Sequence, residues 1–250
     1  MQKKIRLDGR LSACARWVRE GAVLADIGTD HAYLPAALAA EGKISSAVAS
    51  DIGDGPLENA RRTIEAGGAE NMITVFRADG LAGIDRFSPT DIVIAGMGGE
   101  TIMNILSAVR WLTPDMRLIL QPMTRQPELW RYLAAEGYTV TASDLASAEA
   151  PRSSGKNNEK IYSLIICSAG GESWEISDFD AVTGLYRCAA SMRLQTERVE
   201  KTLEYMKEIS RGLRDSGSPD EKKRSRVTSL IDEMNAFLRK HGDPLIDEHK

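Results

Sequence analysis

The stretch Val23-Leu24-Ala25-Asp26-Ile27-Gly28-Thr29-Asp30-His31-Ala32-Tyr33-Leu34-Pro35 constrains this chain more than any other. Val23 to Ile27 is a short apolar run broken by one acid, the pattern of a buried strand. The second half reads as the start of a helix, with Pro35 suited to a first turn, where no amide hydrogen bond is lost. Gly28, between the two, permits a sharp turn and close backbone approach to a ligand. A strand that passes through glycine into a helix aims unpaired amides past the strand end. Such a turn marks the ligand-binding end of a doubly wound sheet, although an ordinary strand-to-helix turn would read the same way.

The rest of the chain repeats the unit. A short helix pattern at about 11–20 precedes the first strand, and a helix through Leu34 and Leu38 follows it to Gly42. Further strands are expected at 46–52, 73–77, 91–95 and 117–120. Between them helices run from Gly55-Pro56 to Gly67-Gly68 and from about Thr101 to Trp111, and another follows Gln121-Pro122-Met123 to about Gly137. Strands alternating with helices imply a parallel sheet covered on both faces. The last two strands, at about 138–144 and 160–167, have only a Ser/Gly/Asn-rich loop at 151–158 between them. They form a hairpin that inserts one antiparallel strand at the sheet edge. This is an α/β, Rossmann-like, seven-stranded doubly wound sheet in the order of a class I methyltransferase rather than a dehydrogenase.

The first turn is not G-x-G-x-x-G, because Thr29, Asp30 and His31 follow its single glycine. A pyrophosphate would meet acid there. S-adenosyl-L-methionine has no phosphate and carries ammonium and sulfonium charges, which suit Asp26 and Asp30. Five stretches converge at the carboxyl ends of the strands: Asp26–Tyr33, Asp51-Ile52, Asp79-Gly80-Leu81, Ala95–Gly99 and Gln121-Pro122. Asp51, 25 positions after Asp26, can accept both ribose hydroxyls. Asp79 can accept from the adenine amine while Leu81 packs on the ring. Gly96-Met97-Gly98-Gly99 lies where the methyl acceptor must approach. It lacks the Asn/Asp-Pro-Pro-aromatic box of amino-directed enzymes and offers space, backbone groups and the adaptable Met97. His31 is the only histidine before residue 241, so no metal cluster can be built around it. Beside Asp30 it is either a positioned structural group or a functional one.

Composition limits the remaining classes. The chain has 250 residues, 42% of them hydrophobic, which supports a real core, and no apolar run approaches the roughly 18 residues of a membrane span. Met1 to Arg6 has basic residues with no apolar region behind them, unlike a signal peptide. Cys14, Cys167 and Cys188 lack ligand spacing and read as reduced cysteines of a cytoplasmic protein.

Residues 1–183 hold 18 Lys+Arg against 24 Asp+Glu, whereas 184–240 hold 13 against 9. Within the acidic part, Lys3, Lys4, Arg6, Arg10, Arg16 and Arg19 crowd the first 19 residues, a basic edge that could line the path of a polyanion. After Gly170-Gly171 a 3-4 alternation runs from Val182 through Leu185, Ala189, Met192, Thr196, Val199, Leu203, Met206 and Ser210 to Leu213, a coiled-coil seam. Ser218 as N-cap, Pro219 at the first helical position and Glu221 as capping-box partner start a second helix carrying Val227, Leu230, Met234 and Phe237. The expected division is a cofactor-binding domain at 1–171 and a helical hairpin at 172–250, as a monomer or weak homodimer.

Residues 26–35, Gly55-Pro56, Asp79-Gly80-Leu81, Ile94-Ala95-Gly96-Met97-Gly98-Gly99 and Leu120-Gln121-Pro122 together resemble the TrmK family. These bacterial tRNA methyltransferases act on N1 of adenine twenty-two in the D-arm. The resemblance extends from Arg6-Leu7 and Arg10-Leu11 through the helical hairpin. It implies S-adenosyl-L-methionine as cofactor and tRNA as partner. Implied cofactor contacts are Arg10, Asp26, Gly28, Thr29, Asp30, His31, Tyr33, Asp51, Ile52, Gly55, Pro56, Asp79, Gly80, Leu81, Ala95, Gly96, Met97, Gly98 and Gln121. Asp30, His31, Gly96 and Met97 stand nearest the chemistry. Met123 departs from the family, where asparagine is expected after Gln-Pro. A small-molecule methyltransferase and a catalytically idle nucleotide-binding protein remain the rival readings of the same residues.

Overall fold

The structure, a computed structural model, describes residues 5–149, 159–215 and 220–242. Seven strands form one sheet: β1 (Ala22–Ile27), β2 (Ile44–Asp51), β3 (Ile73–Arg77), β4 (Asp91–Gly98), β5 (Arg117–Thr124), β6 (Thr139–Glu149) and β7 (Glu159–Ser168). Their order is β3-β2-β1-β4-β5-β7-β6, with β7 antiparallel to both neighbours. The sheet is the one expected, inserted antiparallel strand included. The loop at 151–158 lies outside the described residues.

Helices cover both faces. α1 (Gly9–Trp17), α2 (Tyr33–Ala40) and α3 (Asp54–Gly67) bury Cys14, Leu34, Leu38 and Ile64 on one side. On the other, α4 (Gly99–Ser107) and α5 (Gln126–Ala135) bury Ile102, Leu106, Leu129, Trp130 and Leu133. α3 ends at Gly68 in the left-handed conformation, the expected glycine stop. α4 starts and ends earlier than the sequence pattern suggests. A Cβ on Gly99 would overlap the carbonyls of Thr124 and Arg125, so this glycine lets two strand–helix junctions pack backbone to backbone. All three cysteines are free, and burial pushes the Cys14 thiol up to about 12.

The long seam is not one helix. A short α6 (Asp178–Thr183) stops at Gly184, which has φ +79°. The chain then runs alongside β6: Ser143 N donates to Arg187 O (3.1 Å) and Ala189 N to Ser143 O (2.8 Å). Only at Met192 does α7 (Met192–Asp215) begin. Pairing with β6 takes backbone groups that a continuous helix would need, and it leaves Ala189 exposed. α8 (Glu221–His241) is capped by Asp220, whose Oδ1 accepts from Lys223 N at 2.9 Å. Glu221 is therefore the first helical residue and not a capping-box partner; Ser218 and Pro219 lie outside the described residues.

The hairpin of α7 and α8 shares a core with the sheet. Leu145 from the edge strand β6 and Ile161 from its neighbour β7 pack with Val199, Leu203, Met206, Leu230 and Met234. Two polar joints orient it. Asp178 accepts from Arg226 of α8 and from Arg131 of α5, and Arg226 first, then Arg131, holds its carboxyl down to about 2. Arg198 of α7 donates to Thr183 O and to the buried Gln126 Oε1, each at 3.0 Å. Arg198→Ala strands both acceptors. It should lower stability by about 2 kcal/mol, roughly 4–8 °C in Tm. An unchanged thermal transition would mean that the apolar cluster alone fixes the hairpin.

Candidate active site

The site is built on the turn after β1. Gly28 has φ +72°, and Gly28 N and Thr29 N both donate to Ser50 O of β2, at 2.8 and 2.9 Å. These two amides are therefore not presented to a ligand, contrary to the expectation of an open amide cradle. Thr29 Oγ1 then accepts from Ala32 N (3.0 Å), and Ala32 enters α2 at φ 52°. Beyond the turn the His31 and Tyr33 rings stack at 4.9 Å with 6° between planes. His31 Nε2 lies 3.4 Å from Oδ2 of the exposed Asp30.

Beneath the turn lies Asp26. Burial pushes its carboxyl up to about 6, while the Thr29 hydroxyl and the charge of Arg10 pull the other way. Arg10 reaches in from α1, and its Nη1 donates to Gln121 Oε1 at 3.2 Å. Gly96 N donates to the same oxygen at 3.0 Å. Gln121 is fully buried, and its Nε2 donates to Pro122 O (2.9 Å) and meets Met123 Sδ (3.6 Å). Gln121 is thus the joint that ties α1, β4 and β5 together.

The glycine stretch expected as a bare turn is the end of β4, irregularly paired. Ala95 lies opposite Gln121, Met97 opposite Pro122 and Gly98 opposite Thr124. Gly96 is thus an extra residue on β4 and Met123 an extra residue on β5, two bulges side by side. Gly96 has φ +80°, and the Arg10 guanidinium lies where a Cβ would point. Met97 covers Gly28, since a Cβ there would overlap its Cε. Gly98 packs against the Thr124 hydroxyl.

On the β2 side, Asp51 Oδ1 accepts from Gly53 N (2.8 Å) and Ile52 is 60% exposed. Gly55 and Pro56 lie in the first turn of α3, with open space at Gly55. Asp79 is exposed, and Gly80, at φ +55°, sits against Ile105. Leu81 belongs to the core beside Ile84, so it supports this turn from below. Arg77, for which the sequence holds no local signal, donates to Ile52 O (3.1 Å) and pairs with Asp54 (3.1 Å).

In the basic leading edge, Arg10, Arg16 and Arg19 have separate partners. Arg19 binds the fully buried Asp91 and the carbonyls of Thr90 and Asp115, at the end of β4 opposite the site. Arg16 pairs with Asp144 of β6 at 2.9 Å. Of the six residues, Arg10 reaches the site and Arg6 is exposed, whereas Lys3 and Lys4 lie outside the described residues. Among the described residues no His/Cys/Asp/Glu group gathers as a metal site, and no helix is long and apolar enough to cross a membrane.

A sheet of this order, with an acid-bearing glycine turn at its ligand end, defines a class I methyltransferase. The family described as "Methyltransferase domain" matches residues 7–152. The tRNA (adenine(22)-N(1))-methyltransferase of Bacillus subtilis (strain 168) is 30% identical over 240 residues, 92% of this chain and 95% of its own. The crystal structure of the B. subtilis M1A22 tRNA methyltransferase TrmK superposes with TM-score 0.68 at 29% identity, covering 96% of this chain and all of that one. A putative tRNA (m1A22) methyltransferase of Streptococcus pneumoniae, in complex with S-adenosyl-L-methionine, gives TM-score 0.69 at 28% identity over 93% of this chain and all of its own. This chain belongs to the tRNA (adenine(22)-N(1))-methyltransferase family.

Proposed function

We propose that this protein transfers a methyl group from S-adenosyl-L-methionine to N1 of an adenine in the tRNA D-arm. The observation that carries the cofactor assignment is the β1 turn, where two amides are committed to Ser50 and a buried carboxylate lies below. A phosphate would meet acid there and lose the two amides already committed to Ser50, whereas a cationic ligand offsets the buried charge of Asp26. Asp51 holds the ribose hydroxyls, Ile52 lies against the adenine ring and Asp79 accepts from its amine. Bound there, the cofactor supplies an electrophilic methyl group.

The choice of tRNA rests on the relationship to the B. subtilis enzyme along nearly the whole chain. Adenine N1 carries a lone pair, so this chain needs no strong base and has to orient the ring and accept positive charge on it. Asp30 at the mouth provides the negative charge that balances it, and His31, held between Asp30 and Tyr33, keeps the loop in place. N1 lies on the Watson–Crick edge, so the base must be unpaired or flipped to reach the glycine floor. The basic hairpin holds the RNA body, and a tRNA substrate places the enzyme in the cytoplasm.

The test is incubation with methyl-labelled S-adenosyl-L-methionine and either total bacterial tRNA or a metabolite extract, followed by nucleoside analysis. Label in N1-methyladenosine of tRNA is expected. Label in metabolites alone, or in a different nucleoside, would overturn the reading.

A further inference from the structure

Among the described residues, four large apolar side chains are notably exposed, and three of them, Tyr33, Ile52 and Met123, stand at the carboxyl ends of strands around the site. Ile52 lies on the β2 side, with the ribose-binding acid. Tyr33 and Met123 flank the other half, where the methyl acceptor must enter. Met123 is 47% exposed at the end of a strand. It is there because β5 carries it as an extra, bulged residue between Pro122 and Thr124. A bulge beside a functional site re-aims one side chain out of the ladder. Its sulfur is seated on Gln121 Nε2 at 3.6 Å, so the side chain is anchored at one end and open to solvent at the other.

We infer that Met123 is the apolar wall against which the target adenine of the RNA packs, opposite the stacked His31–Tyr33 rings. The inference rests on the function proposed above. β1 and β5 are separated only by β4. They therefore lie about 10 Å apart, room for a flat ring between side chains rising from each. The floor between them is Gly96 and Gly98, which carry no side chains of their own and are bordered by the Arg10 guanidinium and the Thr124 hydroxyl, with Met97 drawn aside onto Gly28. A methionine thioether is polarisable and makes favourable contacts with aromatic rings, and its flexibility suits a base that must enter and leave. The Gln121 joint then has a second consequence: the amide that fixes Gly96 through its oxygen fixes Met123 through its nitrogen, so floor and wall are set by one buried side chain.

The test is steady-state methylation of tRNA at saturating cofactor by wild type, Met123→Ala and Met123→Leu, with calorimetric cofactor affinity and thermal unfolding alongside. Met123→Ala should lower kcat/KM for tRNA roughly five- to tenfold, because truncation removes the apolar side chain that packs on the ring. Cofactor affinity and Tm should stay at wild-type values, and Met123→Leu should keep most of the activity. Undiminished kcat/KM in Met123→Ala, equal losses in both variants, or a matching loss of cofactor affinity would each overturn the inference. Absence of adenine-N1 methylation by the wild type would instead overturn the function on which it rests.

Discussion

Asp51→Ala should reduce affinity for S-adenosyl-L-methionine at least a hundredfold. Asp51 ends β2, and one of its oxygens is fixed by Gly53 N at 2.8 Å, which orients the carboxylate past the strand end. The remaining lone pairs match two vicinal ribose hydroxyls. Each charge-assisted bond contributes about 1.5–3 kcal/mol, so two contribute about 3–6 kcal/mol. The fold should tolerate the change, because the carboxylate is partly exposed and water can replace it at Gly53 N. Calorimetry on the variant decides the matter. Undiminished affinity would leave Asp51 as an ordinary turn residue.

The second large effect is a pH dependence set by Asp26. Burial raises its carboxyl from 3.8 to about 6. Below pH 3.8 folded and unfolded chains both carry the proton, and this group's contribution to stability is fully present. As pH rises from 3.8 through 6, the unfolded chain loses its proton first and stability falls, by about 3 kcal/mol in total. The ligand-free protein thus holds a destabilising buried carboxylate at neutral pH. A cationic ligand favours the ionised form, so cofactor binding should weaken below pH 6, approaching tenfold per unit as the carboxyl takes up its proton. Asp26→Asn should abolish that dependence, bind the cofactor roughly ten- to a hundredfold more weakly at pH 7 and raise the Tm of the free protein. The same pH profile in variant and wild type would remove Asp26 from the site.

The contrast between these two acids shows where sequence reading stops. Both were identifiable from position alone, 25 residues apart at the ends of successive strands. Their environments were not. Asp26 is buried under a turn closed by Ser50 O, and that acceptor comes from the neighbouring strand. A residue's place on a strand is a local property, whereas its desolvation is set by whatever packs over it.

The sequence by itself determined the alternation of strands and helices, the inserted antiparallel strand, the glycine turn at 28 and the acids at strand ends. All of these rest on periodicity and turn chemistry within a few residues. Only the tertiary structure decided what the basic leading edge does. Arg16 and Arg19 are neighbours in a cationic cluster, yet their partners Asp144 and Asp91 are 128 and 72 residues away. Only the structure showed that the seam after Thr183 breaks, because Ser143 on β6 captures the backbone at Arg187 and Ala189. The paired bulges at Gly96 and Met123 are likewise a property of two strands in register and of neither strand alone. Period is written locally along a chain; ion-pair partners, burial and register are fixed by contacts between distant segments, which exist only once the chain has folded.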